Sequence, residues 1–340
     1  STVIHLFYAS VVLIITSWLC AYISHSHWAE SSIKFNRLTR WFGFIGIAWC
    51  LGGSARKVTA FWMLSLVGLL ASPWIIGGGW SEVFAACRGK RIDFGFSNAQ
   101  HCGLLFGVAL IGLVAFSPRF LQSESLKWGS RIFWFFAVYF CLIAVIGSQT
   151  RGVWLAILAA SFIYLGCFVF ILYKAPDQEV RKKFLLSVIS ISLFWSAVVQ
   201  IQFGDIVMSR LQKERPAIEL IAAGNILAVN ESSIGSRIQC WKEASNWFIE
   251  RPIVGWGGNG KRLLFEHSEN LPERIQAKNL GHLHSSYFDT VINFGLLGLV
   301  LMLWLYALLV LKSIRAWQLR LMPGHIFAFS LAFFTFWILV

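Results

Sequence analysis

The chain has 340 residues, of which 57% are hydrophobic, 16% aromatic and 13% charged, and its mean hydropathy is +0.66. That balance excludes an ordinary soluble domain and predicts an all-α polytopic integral membrane protein. The net charge of +13 does not imply nucleic acid, because the basic residues sit in short segments between apolar runs and form no stripe with interleaved aromatics.

In chain order, apolar runs of spanning or near-spanning length fall at 6–24, 58–76, 102–116, 131–147, 153–173, 184–203, 286–311 and 325–340. A shorter run at 41–52 reads as a tilted, broken or re-entrant piece. The pattern predicts N-terminal transmembrane helices over 1–203, a large helical loop over 204–284 and C-terminal transmembrane helices over 285–340. The start at Ser1 and the end inside an apolar run at Val340 predict a longer protein with further spans. Cysteines carry no CxxC spacing, and a disulfide among Cys87, Cys102 and Cys240 stays open.

Lys and Arg in the short segments 117–131, 174–183 and 312–324 place those segments in the cytoplasm. Alternation of spans then puts 77–101, 148–152 and 204–284 on the outer face. Segment 77–101 nevertheless carries Arg88, Lys90 and Arg91. This breach of the charge rule marks Arg88 and Arg91 as candidate substrate contacts, and His101 closes the same segment. Ionisable residues are almost absent from the middle of the runs, which argues against an ion-coupled transporter.

Three outer-level positions hold the polar chemistry. His284 stands where the long loop meets the run at 286–311, and Ser285 or Ser286 is placed to cap the helix that begins there. The positive end of that helix favours a neutral imidazole near pH 7. Arg151 lies at the start of the run at 153–173, and Arg237 lies in the loop with Trp241 on the same helical face and Ser236 as its expected cap. Read singly, each is a boundary histidine, a snorkelling arginine or a solvated helix arginine. Together they suit a lipid-linked diphosphate: guanidinium groups match its oxygens bidentately, and the imidazole takes a proton from an attacking hydroxyl. No DxD-like acidic pair stands in the outer loops to hold a divalent cation. The glycine-rich Arg251–Gly260 segment reads as a tight turn after a proline-broken helix, since no βαβ unit surrounds it.

The ordered pieces resemble the O-antigen ligase family, within the superfamily sharing a polymerase–ligase membrane domain. His284-Ser285, nine residues, then Gly295 and Gly298 are similar to its His-to-glycine signature. Arg151…Trp154-Leu155, Ser236-Arg237…Trp241 and Pro252…Gly255…Gly257 resemble its other motifs, and Gly95–Gln100 resembles a further stretch, from which Ala99 and Gln100 depart. The resemblance implies metal-independent, inverting transfer of O-antigen polysaccharide from undecaprenyl diphosphate to the lipid A-core, at the periplasmic face of a Gram-negative inner membrane. His284, Arg151 and Arg237 are then the catalytic candidates. Arg88, Arg91, His101, Trp241, His282, Ser285 and Tyr287 are the substrate-binding candidates. The expected partners are the lipid-linked glycan donor, the lipid A-core acceptor and membrane lipids, with no nucleic acid, metal or cofactor. O-antigen polymerase and protein O-oligosaccharyltransferase activities share these motifs, and a polysaccharide or lipid transporter is the rival from another class.

Overall fold

The computed structural model of the chain describes residues 2–121, 127–173, 178–223, 233–272, 275 and 283–340. Among these the secondary structure is helical, with no strand. In order come α1 (Thr2–Ser24), α2 (Asn36–Thr39), a 3-10 turn (Arg40–Phe42), α3 (Phe44–Leu51), α4 (Ala55–Ile75), α5 (Trp80–Cys87), α6 (Ala99–Ala115) and α7 (Ser117–Leu121). They are followed by α8 (Lys127–Gly147), α9 (Arg151–Tyr173), α10 (Gln178–Ala222), α11 (Ser233–Glu250), α12 (Gly260–His267), α13 (Ser286–Gln318) and α14 (Gly324–Leu339). Among the described residues, five helices are long and apolar enough to cross a membrane: α1, α4, α8, α9 and α13. Helices α6 and α14 are shorter apolar helices. The chain is therefore a polytopic membrane protein. The short run at 41–52 becomes the 3-10 turn and α3, which ends on Gly52 in left-handed backbone (φ 55°), a closure that glycine adopts without a Cβ penalty. All seven cysteines carry free thiols.

Contacts gather the chain into two compact units, one of residues 1–54 and 212–308, the other of 55–211 and 309–340. In the second, α9 packs along α14, and α6 packs against α8 and α9. Phe106, Trp134, Cys141, Val153 and Phe336 form its buried centre, and the Trp134 indole donates to the Leu113 carbonyl at 2.8 Å. A Cβ at Gly107 would come within 3.1 Å of the Phe336 ring, so a small residue there sets how closely the elements approach. Leu155, Leu158 and Phe162 of α9 are exposed, as expected of a face turned to hydrocarbon.

In the first unit a separate core joins α11 and α12 to the start of α13 through Cys240, Ala244, Leu264, Leu283 and Ile292. Aromatic rings close it: Trp28 stacks on His267 at 4.7 Å, His25 stacks on Trp28 and Trp256, and the Arg251 guanidinium lies 4.5 Å over Trp256. Aromatic and cation–π geometry of this kind adds to the burial itself. The Ser17 hydroxyl of α1 reaches the Val254 and Asn293 carbonyls at 2.7 and 3.1 Å, tying a membrane-length helix to the glycine-rich turn.

Candidate functional site

In the first unit, α13 begins at Ser286 and the Ser285 hydroxyl accepts the Phe288 N–H at 3.5 Å, so Ser285 takes the capping position expected of it. His284, just before it, is held at φ 56°, in left-handed backbone. A non-glycine residue there costs on the order of 1–3 kcal/mol and persists only where its surroundings over-determine it. The surroundings are specific. The N–H of buried Leu283 donates to Asp289 Oδ1 at 2.9 Å, and the Leu283 carbonyl accepts the Trp241 indole N–H at 2.9 Å. Asp289 Oδ2 accepts from Lys261 Nζ at 2.9 Å, a largely buried ion pair. The Lys261 backbone N–H in turn donates to Asn293 Oδ1 at 2.9 Å.

Trp241 therefore directs its indole N–H at the peptide preceding His284, and its ring stacks on Phe288 with centroids 5.5 Å apart and planes 9° apart. Arg237 lies one turn earlier on α11 and is half-buried. Ser236, expected as a cap, is a correction: α11 already runs from Ser233, and Ser236 lies inside it. Tyr287 is half-buried in the first turn of α13. His282 lies outside the described residues.

The glycine-rich segment is the tight turn that its composition predicts. Its backbone bonds that of α13: Trp256 N–H to the Ile292 carbonyl (2.9 Å), Gly257 N–H to Asn293 (2.9 Å), and Leu296 N–H to Pro252 (2.8 Å). Helix α13 breaks at Gly295 (φ 62°, ψ −160°) to make this possible. A Cβ at Gly295 would lie 2.3 Å from the Ile253 carbonyl, and one at Gly255 would lie 2.6 Å from the Gly295 nitrogen. The two glycines thus let two backbones touch directly behind the head of α13.

In the second unit, Arg151 is the first residue of α9, and the Thr150 carbonyl accepts from Val153 and Trp154 at 3.0 and 3.2 Å. The preceding turn is fastened to the basic segment. Gln149, buried and left-handed (φ 52°), donates from Nε2 to the Gly89 carbonyl at 2.8 Å. The Ile92 N–H reaches the Gly147 carbonyl at 3.1 Å, and Arg91 Nε reaches the Ser148 carbonyl at 3.1 Å. Arg88 turns back to cap its own helix through the Phe84 carbonyl at 3.2 Å. Asn98 caps α6 by accepting the His101 N–H at 2.9 Å, and the exposed His101 ring bonds Ser97. Arg91 and the start of α6 thus lie against the turn that leads into Arg151, the latter through the Thr150 hydroxyl, which reaches the Ala99 carbonyl at 3.4 Å, while Arg88 bonds back within its own helix turn.

The sequence reading missed Asp289 and Lys261. The available signal was an acid in the first turn of a helix, five residues after the candidate base. No group of three His, Cys, Asp or Glu side chains gathers among the described residues to hold a metal. Burial pushes the Cys240 thiol up to about 11, which leaves it a protonated apolar filler at neutral pH.

Among known families, the model described as O-antigen ligase matches residues 136–303, from within α8 into α13. That stretch contains Arg151, Arg237, Trp241 and His284, while Arg88, Arg91 and His101 precede it. No curated protein matches the chain.

Proposed function

The match over residues 136–303 assigns the chain to the O-antigen ligase family, and on that premise we propose that it moves O-antigen polysaccharide from undecaprenyl diphosphate to a sugar of the lipid A-core. The family makes it a glycosyl-transfer-type enzyme of O-antigen or glycan assembly, in a multi-pass membrane protein. In our reading, His284 removes the proton from the acceptor hydroxyl. The acceptor oxygen bonds to the anomeric carbon from the face opposite the diphosphate, the bond from that carbon to the diphosphate oxygen breaks, and the configuration inverts. Arg151 and Arg237 bind the diphosphate and stabilise the charge it gains on leaving. Arg88, Arg91 and His101 add donor contacts, and His282, Ser285, Tyr287 and Trp241 border the acceptor. No metal is required in this scheme. The active site faces the periplasm of a Gram-negative inner membrane.

The single observation that carries this reading is the left-handed His284 at the head of α13, a strained position of the kind that concentrates at functional sites. The test is ligation by purified protein with lipid-linked glycan, lipid A-core and excess chelator, comparing wild type with His284→Ala and Arg151→Lys. Loss of a general base lowers turnover by about 10²–10⁴-fold. Arg151→Lys keeps the charge but loses the bidentate fork, and turnover is expected to fall with it. A folded His284→Ala enzyme with undiminished turnover overturns the base assignment. Loss of activity to the chelator overturns the metal-free scheme. Glycan-repeat or protein acceptors used in preference to lipid A-core would reassign the chain to polymerase or protein glycosylation. Glycan translocation that survives His284→Ala would reassign it to transport.

A further inference from the structure

We propose that Asp289, held by Lys261, is a positioning residue for the transfer, fixing the backbone that aims His284. The inference rests on the reading of His284 as the base. Three elements meet at the backbone of Leu283: α13 supplies Asp289 to its N–H, α11 supplies the Trp241 indole to its carbonyl, and α12 supplies Lys261 to the far oxygen of Asp289. With both backbone polar atoms of Leu283 committed, one in each of the peptide groups that flank it, and its side chain buried, the chain enters His284 in one orientation.

This arrangement supplies the over-determination that a left-handed histidine needs. Asp289 itself is not placed as the proton acceptor, because one carboxylate oxygen takes the Leu283 N–H and the other takes the ammonium of Lys261. Its carboxylate also lies in the first turn of α13, where the helix dipole favours negative charge. A simple first-turn acid would account for stability alone. The bond to Leu283, six residues back and outside the helix, instead ties the carboxylate to the residue that precedes the imidazole. A reacting group misplaced by about 1 Å costs on the order of 10²-fold in rate, so loosening this peptide acts on turnover more than on binding.

The experiment uses the purified full chain and the variants Asp289→Ala, Asp289→Asn and Lys261→Met, with kcat, KM for the lipid-linked donor and thermal unfolding measured for each. Asp289→Ala is expected to lower kcat by about 10- to 100-fold, with KM little changed. Asp289→Asn keeps an oxygen for the Leu283 N–H and recovers most of that loss. Lys261→Met, which leaves the carboxylate in place without its partner, falls between the two. The inference is overturned if kcat is unchanged in Asp289→Ala, if its loss only tracks the loss of thermal stability, or if Asp289→Asn is no better than Asp289→Ala. His284→Ala runs alongside. If it retains turnover, the base reading fails and this inference fails with it. If it is inactive while Asp289→Ala matches wild type, only the role of Asp289 is refuted.

Discussion

The heads of α9 and α13 both present a candidate catalytic residue after a left-handed residue or on one, yet they are held by different physics. Before Arg151, the strained residue is Gln149, and bonds to backbone carbonyls secure its turn: its own amide to Gly89, Ile92 N–H to Gly147, and the Arg91 guanidinium to Ser148. Before α13 the strained residue is His284 itself, and a charged carboxylate, an ammonium and an indole secure it. The first design presents a planar guanidinium fork of the kind that matches a phosphate's oxygens bidentately. The second presents a group whose use depends on where one proton sits. A base, the role proposed for His284, needs stricter aim than a charge, and three elements hold the backbone that leads into it.

The largest effect that would break this comparison is on the glycines. Gly295→Ala puts a Cβ 2.3 Å from the Ile253 carbonyl at φ 62°, and is expected to cost about 4 kcal/mol or more, enough to abolish folding of a marginal protein. Gly152→Ala, beside Arg151, meets nothing within 4 Å and is expected to stabilise α9 by up to about 1 kcal/mol. Thermal unfolding of the two variants in detergent checks both signs. If Gly295→Ala is tolerated, the backbone contact behind α13 does not hold the site.

A smaller effect sharpens the contrast. Trp241→Phe retains a ring against Phe288 but loses the N–H to Leu283, whereas Gln149→Ala loses the amide bond to Gly89. Each is expected to cost about 1 kcal/mol of stability. Turnover should fall several-fold in Trp241→Phe, because it loosens the backbone leading into His284, the proposed base, and less in Gln149→Ala, where the Ile92 and Arg91 contacts remain. Equal losses of turnover would remove the distinction.

The smallest effect is a pH response confined to the first unit. Burial, and then the positive charge of Arg251, hold the pKa of His25 below the ordinary 6.5. The unfolded chain therefore binds the proton more readily than the folded one. Stability from this group is full above about 6.5 and is lost as pH falls through that value toward the lower folded pKa. Acidification should weaken the stack of His25 on Trp28 and Trp256, read as a change in tryptophan fluorescence, and His25→Gln should flatten that response.

Much of this was legible beforehand because its causes are local. Spanning runs are set by hydrocarbon thickness, so α1, α4, α8, α9 and α13 follow from composition alone. A serine cap at 285 or 286 follows from residue type and place, with the structure choosing Ser285, and Arg151 at a helix start follows from the run that it precedes. Ser236 misled because a serine ahead of an apolar face looks like a start signal, while the turn before it was already helical. The fastening of the basic segment onto the turn before Arg151 was not legible, since main-chain bonds such as Ile92 to Gly147 leave little mark on residue type.

The sequence by itself determined that this is an all-helical membrane protein with polar chemistry gathered at helix heads, because periodicity, hydropathy and capping act over a few residues. Only the tertiary structure decided how the backbone at His284 is held. The Asp289–Lys261 pair joins residues 28 apart in the chain, and the Trp241–Leu283 bond joins residues 42 apart. Partners that far apart are chosen by packing, and no local preference of the chain encodes them.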